Sequence, residues 1–432
     1  MHSTIFEIKE HTLECQHIRE YPRATANTQE DVLHLAIKQY IPKDNPHPEP
    51  GDVTIIGAHA NGYPKELYEP LWEDIHARSK SSGFRIRSIW IADLAQEGAS
   101  SVLNEQLLGN DPCWIDHARD LLHMVNTYRA EMPLPIIGIG HSFGANMLTN
   151  LSLMHPRLLT TLVLLDPVIH QYASSPAGNP EPTQLSTFRR DLWPSRDAAE
   201  SSFRKSKAYA KWDPRVLDRW CQYAIRETPT AIYPDEPAGS TTLTTTKHQE
   251  CFSFIRPSWE AFSSDGKTII RPDLIPDLHE KSPLQFPFYR PEPINTLVRL
   301  PQLRPPVLYI YGAISAVCDP PSRVEKLALT GTEHGGSGGA KEGKVKEVVL
   351  EGVGHLVAQE ATEQCADALA PWVGQELKRW WKEQEEYLEW TKKSLIEKQT
   401  LSEEWKKRIG GPPKRAGKSG EGSKLGVQSG SI

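Results

Sequence analysis

A serine between two glycines has the clearest chemical potential in this sequence. Residues 140–144 read Gly-His-Ser-Phe-Gly, which is the pattern G-x-S-x-G with Ser142 at its centre. An apolar run at 136–139 precedes the pattern and a helical stretch at 145–159 follows it, which predicts a tight strand-to-helix turn. Such a turn exposes the hydroxyl at the carboxyl edge of a sheet, next to a helix N-terminus that favours anions. Ser142 is therefore a candidate nucleophile.

A serine hydroxyl needs a general base, and the base needs a third group to orient it. Where this elbow occurs, the acid and then the histidine follow the serine along the chain. His355 comes after a predicted strand at 345–350 and stands beside Gly352 and Gly354 in a predicted loop. A ring at that place can swing over the sheet edge, so His355 is the predicted base.

The acid has two candidates. The turn after the predicted strand that ends in Gly312 is the usual place, but Ser315 stands where an aspartate is expected, and Asp319 follows four residues later. Asp166 ends the strand that comes directly after the nucleophile helix, in the sequence Leu-Leu-Asp-Pro. An Asp-Pro turn is also a common structural device. Because the acid is missing at 315, we favour Asp166 and keep Asp319 as the alternative.

Two backbone N–H groups are predicted to form the oxyanion hole. One belongs to Phe143, directly after the nucleophile, and the other comes from the loop after the strand at 53–56. That loop contains His59-Ala60-Asn61-Gly62, so Asn61 is the predicted second donor, and its side-chain amide is a possible addition. His59 is expected to brace the loop. A similar string, His334-Gly335-Gly336, follows the wrong strand and is rejected.

The elements around these residues alternate between strand and helix. This alternation predicts a mostly parallel, doubly wound sheet built from 1–169 and 306–375. The predicted strands cover 31–41, 53–56, 84–91, 136–139, 162–165, 307–311 and 345–350. The predicted helices cover 65–82, 114–128, 145–159, 322–329 and the chain from 356 onward.

Between the two halves of the core, the composition changes. Residues 170–305 hold 17 of the 35 prolines. Proline removes a backbone donor and interrupts ladders and long helices. We therefore expect an irregular helical cap inserted between the strand that ends at Asp166 and the strand that begins at Val307. Beyond the core, 376–409 is predicted to be a charged helix and 410–432, rich in Gly, Lys and Ser, a disordered tail.

Composition narrows the function classes. The chain has 432 residues with 49 Lys and Arg against 55 Asp and Glu, a net charge of −6, which gives no reason to expect a nucleic-acid partner. No window is apolar enough for a transmembrane helix. Phosphate-binding, HExxH and zinc-spacing patterns are absent from the sequence, so we expect no metal or organic cofactor. Six dispersed cysteines, with no secretory pattern at the start, suggest reduced thiols in an intracellular protein.

The elbow at 140–146 and the string at 59–70, His-Ala-Asn-Gly-Tyr-Pro-Lys-Glu-Leu-Tyr-Glu-Pro, carry a family resemblance. Residues 30–375 resemble the α/β-hydrolase superfamily. The longer string is similar to a fungal subgroup that contains the yeast peroxisomal lipase and hydrolases of host-selective toxin biosynthesis. The resemblance implies cleavage of an ester, lipid or acyl thioester, a helical cap over the site and residence in peroxisomes.

The sequence differs in one respect from what a peroxisomal location requires. A peroxisomal address is read at the free C-terminus, yet Ser423-Lys424-Leu425 lies seven residues before the end of this sequence. We hypothesise that another transcript or a processed form ends at Leu425, and we keep the cytoplasm as the alternative location.

Taken together, the residues predict a serine hydrolase that cleaves an apolar carboxylic ester through an acyl-enzyme, in lipid or secondary metabolism. A thioesterase or acyltransferase acting on fatty-acyl or polyketide thioesters is the first alternative, because the elbow is the same. A non-catalytic binding protein on the same fold is the second. The oligomeric state is left open.

Overall fold

A computed structural model describes residues 3–171, 181–283 and 285–413. Ser423-Lys424-Leu425 and most of the predicted 410–432 tail lie outside these residues. The strands are β1 (Phe6–Glu14), β2 (His34–Pro42), β3 (Val53–Ala58), β4 (Ile86–Ala92), β5 (Ile136–His141), β6 (Thr161–Leu165), β7 (Leu192–Trp193), β8 (Ile225–Glu227), β9 (Thr241–Leu243), β10 (Arg256–Pro257), β11 (Phe288–Tyr289), β12 (Val307–Gly312) and β13 (Val345–Leu350).

The helices follow the same order along the chain. They are α1 (Glu69–Ser79), α2 (Gly98–Leu103), α3 (Trp114–Thr127), α4 (Phe143–Met154), α5 (Glu181–Phe188), α6 (Arg196–Lys205), α7 (Pro214–Tyr223), α8 (Lys247–Phe254), α9 (Glu292–Leu297), α10 (Pro320–Leu329), α11 (Val357–Glu360), α12 (Thr362–Thr391), α13 (Leu395–Gln399) and α14 (Glu403–Ile409). A short 3₁₀ turn, Lys65–Tyr68, leads into α1.

The main sheet has the strand order β1-β2-β4-β3-β5-β6-β12-β13. Neighbours from β4 to β13 pair in parallel, while β1 pairs antiparallel with β2 and β2 pairs antiparallel with β4. The predicted mostly parallel, doubly wound sheet is therefore confirmed. β1 was not predicted, because its exposed edge carries the polar sequence FEIKEHTLE with little apolar content to mark it as a strand.

The chain order of the strands fixes where a site can form. From β3 the chain moves outward to β4 and then returns to the other side of β3 as β5. Loops that leave the carboxyl ends of β3 and β5 therefore turn in opposite directions and leave a crevice between them, the usual ligand position in open α/β sheets. The loop after β3 carries Asn61, and the turn after β5 carries Ser142.

Apolar layers cover both faces of the sheet because successive strand residues point to opposite sides. In β3, Val53 and Ile55 join the layer that contains α1, α11 and α12, whereas Ile56 and Ala58 join the layer that contains α3 and α4. Within the insertion, Trp212 and Trp220 belong to the first of these two layers, whereas Leu297 and Leu300 belong to the second. The insertion thus contributes to the core on both sides of the sheet.

The inserted segment, 170–305, differs in part from the prediction. It contains α5–α9, as expected for a helical cap, but β7, β9 and β8 also form a small antiparallel sheet, and β10 pairs with β11. The expectation that proline excludes sheet ladders here was wrong. Each strand is only two or three residues long. Pro229 and Pro237 lie outside β8 and β9, so that ladder forms between prolines, whereas β10 ends in Pro257 and pairs over only two residues.

The chain divides into two compact units, Met1–Trp380 and Trp381–Ile432. The predicted charged helix at 376–409 is not continuous. Helix α12 ends at Thr391, and α13 and α14 are separate short helices whose N-caps are Ser394 and Ser402. Capping serines compete with helix continuation, which accounts for the breaks. Within 3–171, 181–283 and 285–413, no helix combines the length and apolarity needed to cross a bilayer.

Candidate active site

Ser142 lies on a strained turn between β5 and α4. Its backbone has φ 57° and ψ −119°, a conformation that side-chain-bearing residues rarely adopt and that concentrates at functional sites. A Cβ on Gly144 would lie 2.4 Å from the backbone oxygen of Ala58, and one on Gly140 would lie 2.7 Å from the Cα of Ala145. The two glycines therefore permit the tight turn that the G-x-S-x-G pattern predicted.

The turn brings the serine to the histidine named from the sequence. The Oγ of Ser142 lies 2.8 Å from Nε2 of His355, although 213 residues separate them in the chain. A Cβ on Gly312 would lie 2.0 Å from the backbone oxygen of Gly354, so the loop that carries His355 packs directly on the end of β12. The close approach of two glycines holds this loop against the sheet edge.

The other ring nitrogen of His355 faces Asp166. Its Nδ1 lies 2.5 Å from Oδ2 of Asp166, a carboxylate with no exposed surface at the end of β6. Asp166 has a positive φ of 41°, and its Oδ1 accepts a hydrogen bond from the backbone N–H of Gly312 at 3.2 Å. Serine, histidine and aspartate thus form one connected line of hydrogen bonds.

Ser315, the residue that stands where an acid was expected, lies against this carboxylate. Its hydroxyl donates to Oδ2 of Asp166 at 2.6 Å and accepts from the backbone N–H of Val317 at 3.2 Å. The sequence marked position 315 as a departure but gave no sign of this contact. The side chain at position 315 therefore contacts the same carboxylate oxygen of Asp166 that faces His355.

Asp319 lies in a different environment. Its side chain is exposed and caps the N-terminus of α10 by accepting a hydrogen bond from the backbone N–H of Ser322 at 3.1 Å. Asp followed by two prolines is a strong helix start. The carboxylate that contacts His355 is that of Asp166, whereas Asp319 is occupied as a cap.

The predicted oxyanion donors lie on two segments that pack together. Phe143 is the first residue of α4, so its N–H has no acceptor within the helix. A Cβ on Gly144 would lie only 2.5 Å from the backbone oxygen of His59, which places the loop after β3 against the elbow. The side chain of Asn61 already has a partner, since its Nδ2 donates to the backbone oxygen of Glu250 in α8 at 3.1 Å. The backbone N–H of Asn61 is therefore the donor that we favour on this residue.

Buried polar side chains support the loop that carries Asn61. The N–H of Gly62 donates to Oε2 of Glu97 at 2.7 Å, and the ring of His59 lies between the backbone oxygen of Ala60 and the backbone N–H of Leu94. Burial lowers the pKa of His59 and raises the pKa of Glu97 well above its usual range. His59 therefore braces the loop, as expected, and burial favours the neutral form of Glu97.

Four further polar residues near the site were not found from sequence. Tyr68 and His141 form hydrogen bonds behind the elbow, while Glu97 and Glu250 hold the loop after β3. His141 and Tyr68 lie within the strings that carried the family resemblance. Glu97 and Glu250 gave no signal, because each meets the loop only after the chain has folded.

A hydroxyl, an imidazole and a buried carboxylate in one line can carry out nucleophilic acyl transfer. The imidazole takes the hydroxyl proton, and the carboxylate stabilises the imidazolium that forms. Backbone N–H groups at a helix N-terminus can stabilise the negative charge of a tetrahedral intermediate.

Comparison with known proteins gives the family. Residues 58–368 match the family described as alpha/beta hydrolase family. The type I acyl-CoA thioesterase mpaH of Penicillium roqueforti is 40% identical over 450 aligned positions, which cover 98% of this chain and 100% of the relative. The abhydrolase domain-containing protein AFT2-1 of Alternaria alternata is 29% identical over 56% of this chain and 84% of its own length.

A solved structure shows the same fold. The peroxisomal alpha-beta-hydrolase Lpx1 of Saccharomyces cerevisiae superimposes with a TM-score of 0.66 at 17% identity, covering 87% of this chain and 90% of that one. The resemblance to a fungal subgroup that was inferred from residues 59–70 is thus confirmed. The match over most of the core, together with the sheet and the elbow, shows that this chain belongs to the α/β-hydrolase family.

Proposed function

We propose that the protein is a serine-dependent thioesterase that hydrolyses acyl-CoA. One observation carries the proposal: the 2.8 Å contact between Ser142 Oγ and His355 Nε2, continued from His355 Nδ1 to Asp166 at 2.5 Å. The substrate class is supported by a relative named as a type I acyl-CoA thioesterase, which aligns over 98% of this chain and the whole of its own length.

In the first half of the proposed reaction, Ser142 Oγ attacks the thioester carbonyl carbon while His355 takes the hydroxyl proton. The carbonyl oxygen becomes an oxyanion, which the N–H groups of Phe143 and Asn61 stabilise. The tetrahedral intermediate then collapses, the carbon–sulfur bond breaks, and the proton on His355 passes to the leaving CoA sulfur. The products of this half are free CoA and an acyl ester on Ser142.

Water completes the reaction. His355 removes a proton from a water molecule, the resulting hydroxide attacks the acyl carbon, and a second oxyanion forms at the same donors. The carbon–oxygen bond to Ser142 breaks, and the proton on His355 returns to Ser142 Oγ. A free carboxylic acid leaves. Asp166 keeps the ring oriented and stabilises its charged form in both halves.

Ester cleavage is the second candidate, because the same residues act on an oxygen leaving group. The sequence favoured esters over thioesters, and the names of the relatives that align over most of this chain support the thioester alternative instead. A carboxylate nucleophile, which epoxide hydrolysis and dehalogenation of this fold need, is not available at a serine elbow.

A paired substrate series tests the proposal. Purified full chain is assayed with acyl-CoAs of graded chain length and with p-nitrophenyl esters of the same acyl groups, and Ser142→Ala serves as the matched control. We expect kcat/KM to be larger for the acyl-CoA at the preferred chain length and to be lost in Ser142→Ala. Faster turnover of every ester than of its CoA counterpart would favour the ester function, and no turnover of either would contradict both.

The peroxisome is the proposed location, on the strength of the family resemblance. Imaging of fluorescent fusions that end at Leu425 or at Ile432 tests it. We expect punctate signal from the form that ends at Leu425, and identical diffuse signals from both forms would contradict the proposal.

A further inference from the structure

The histidine that precedes the nucleophile is buried behind the site and takes no part in the chemistry above. His141 has no exposed surface, and both of its ring nitrogens have partners. Nδ1 lies 2.8 Å from the hydroxyl oxygen of Tyr68, and Nε2 lies 3.0 Å from the backbone oxygen of His355. One ring therefore connects Tyr68 to the main chain of the residue that faces Ser142.

The donors and acceptors around this ring can be assigned in one direction. The backbone oxygen of His355 can only accept, so His141 Nε2 must carry the proton. Nδ1 of a neutral ring then accepts, and the proton comes from Tyr68. The hydroxyl oxygen of Tyr68 in turn accepts from the backbone N–H of Ala60 at 2.8 Å. Each donor meets an acceptor along the whole chain of bonds.

The two ends of this chain lie on opposite sides of the site. It begins at Ala60, one residue before the proposed oxyanion donor Asn61, and ends at the backbone of the proposed base His355. The loop after β3 and the loop after β13 are otherwise far apart in sequence. A connection through two buried side chains between them can fix the separation between the donor and the base.

Burial keeps both side chains neutral. It lowers the pKa of His141 to about 3, with a further contribution from the nearby His355, and it raises the pKa of Tyr68. The His141 and His355 ring centroids are 5.6 Å apart. A neutral ring at 141 is suited to this place, because a positive charge there would oppose the imidazolium that forms on His355 during the reaction.

We propose that Tyr68 and His141 are positioning residues that hold the oxyanion loop and the base in register on either side of the reacting carbon. The inference deepens the proposed function and rests on it, because it presumes that Ser142 and His355 react. Small errors in such geometry are costly, since a displacement of about 1 Å can reduce a rate by about 100-fold.

The test measures the rate at which a fluorophosphonate labels Ser142, together with kcat and KM for acyl-CoA. Tyr68→Phe removes only the hydroxyl, and we expect labelling and kcat to fall by about 10- to 100-fold while KM changes little. His141→Gln keeps an N–H that can reach the backbone oxygen of His355, whereas His141→Leu does not. The expected order of rates is wild type, then His141→Gln, then His141→Leu.

Tyr309→Phe is the matched control. Tyr309 is also a fully buried tyrosine, and its hydroxyl has one hydrogen bond, to Thr330 Oγ1 at 2.7 Å, outside the site. We expect it to lower the melting temperature as Tyr68→Phe does and to leave the labelling rate unchanged. Both single variants interrupt the same chain of hydrogen bonds, so their effects should not add. The labelling rate of the double variant Tyr68→Phe/His141→Leu should therefore be within about twofold of the rate of His141→Leu.

The possible outcomes separate this inference from the function beneath it. Equal labelling of wild type, Tyr68→Phe and His141→Leu would overturn the positioning role and leave the proposed function intact. Equal losses in His141→Gln and His141→Leu, or fully additive losses in the double variant, would also overturn it. Absence of labelling in the wild type would overturn the proposed function and this inference together.

Discussion

The two sides of the candidate site are held by different parts of the chain. On the base side, Ser142, Asp166 and His355 sit where β5, β6 and β13 reach the carboxyl edge of the sheet, and backbone groups of β12 help to fix them. On the oxyanion side, the loop after β3 depends on groups from elsewhere in the chain. The side chain of Glu97 comes from the segment after β4, and the backbone oxygen of Glu250 comes from α8 in the insertion.

The difference shows which part of the site is built by the fold and which by tertiary contact. The base side is held mainly by strand ends, glycines and the core side chains of Ser315 and His141, so it is expected to be less sensitive to changes in the insertion. The oxyanion side includes a hydrogen bond between Asn61 and Glu250, which are 189 residues apart in the chain. Changes in the insertion should therefore alter oxyanion stabilisation before they alter the nucleophile and base.

The largest effect is expected on the base side, at the acid. Asp166→Asn should lower kcat by about 10³- to 10⁴-fold, because the imidazole loses its partner and its preferred tautomer. Asp319→Asn is the matched control and should keep near-normal activity, since asparagine caps a helix as well as aspartate does. Steady-state kinetics of the two variants decide the point, and the reverse pattern would make Asp319 the acid.

Moving the carboxylate from position 166 to position 315 tests the assignment of Asp166 as the acid further. The hydroxyl of Ser315 already reaches Oδ2 of Asp166 at 2.6 Å, so a carboxylate at 315 should come near Nδ1 of His355. We expect Asp166→Asn/Ser315→Asp to recover at least about tenfold of the activity lost in Asp166→Asn. If the double variant is no more active than Asp166→Asn, a carboxylate at position 315 cannot orient the ring of His355.

Removal of the Ser315 hydroxyl alone should have an intermediate effect. The hydrogen bond reaches a charged oxygen, and bonds of that kind are worth about 1.5–3 kcal/mol. Ser315→Ala should therefore lower kcat by about 10- to 100-fold, and Ser315→Thr, which keeps the hydroxyl, should lose less. Equal activity of Ser315→Ala and wild type would mean that Gly312 alone suffices to hold the carboxylate.

On the oxyanion side, a smaller loss is expected from the side chain of Asn61. Its amide holds Glu250 and the backbone N–H is the proposed donor, so Asn61→Ala should lower kcat by about tenfold with KM nearly unchanged. A lost oxyanion donor costs about 100- to 1,000-fold. A fall of that size in kcat would show that the side-chain amide is itself the donor.

The smallest effect is expected at Glu97 and appears in stability. Its folded-state pKa is raised above the unfolded value, so it contributes stability below the unfolded pKa, near 4.5, that is lost as the pH rises towards the folded pKa. Each unit of raised pKa is worth about 1.4 kcal/mol. Glu97→Gln keeps an oxygen for Gly62 and should melt higher than wild type at pH 8, with a smaller difference at pH 5. An equal difference in melting temperature between Glu97→Gln and wild type at pH 5 and pH 8 would contradict the raised pKa of Glu97.

The sequence predicted most of the base side because local patterns mark it. Gly140 and Gly144 predict the turn, and the order of serine, acid and histidine along the chain limits the candidates for the acid and the base to a few positions. The choice between Asp166 and Asp319 rested on an absence at 315, and the compensating hydroxyl of Ser315 could not be seen. The catalytic roles of Ser142, Asp166 and His355 stay predictions.

What the sequence missed depends on contacts between distant segments. The partners of the Asn61 loop, Glu97 and Glu250, lie in segments with no motif of their own. The small sheet of β7, β8 and β9 was missed because strands of two or three residues carry no periodicity. The breaks at Ser394 and Ser402 were missed because charge and apolar spacing favour a continuous helix, whereas the capping serines end it.

Covalent labelling of the nucleophile tests the central claim most directly. Full-length protein is titrated with a fluorophosphonate, the modified residue is mapped by peptide mass spectrometry, and release of CoA from acyl-CoA is measured on the same samples. We expect one adduct per chain, on Ser142, with CoA release falling in proportion to the labelled fraction. An adduct on another residue, or CoA release that persists in fully labelled protein, would contradict it.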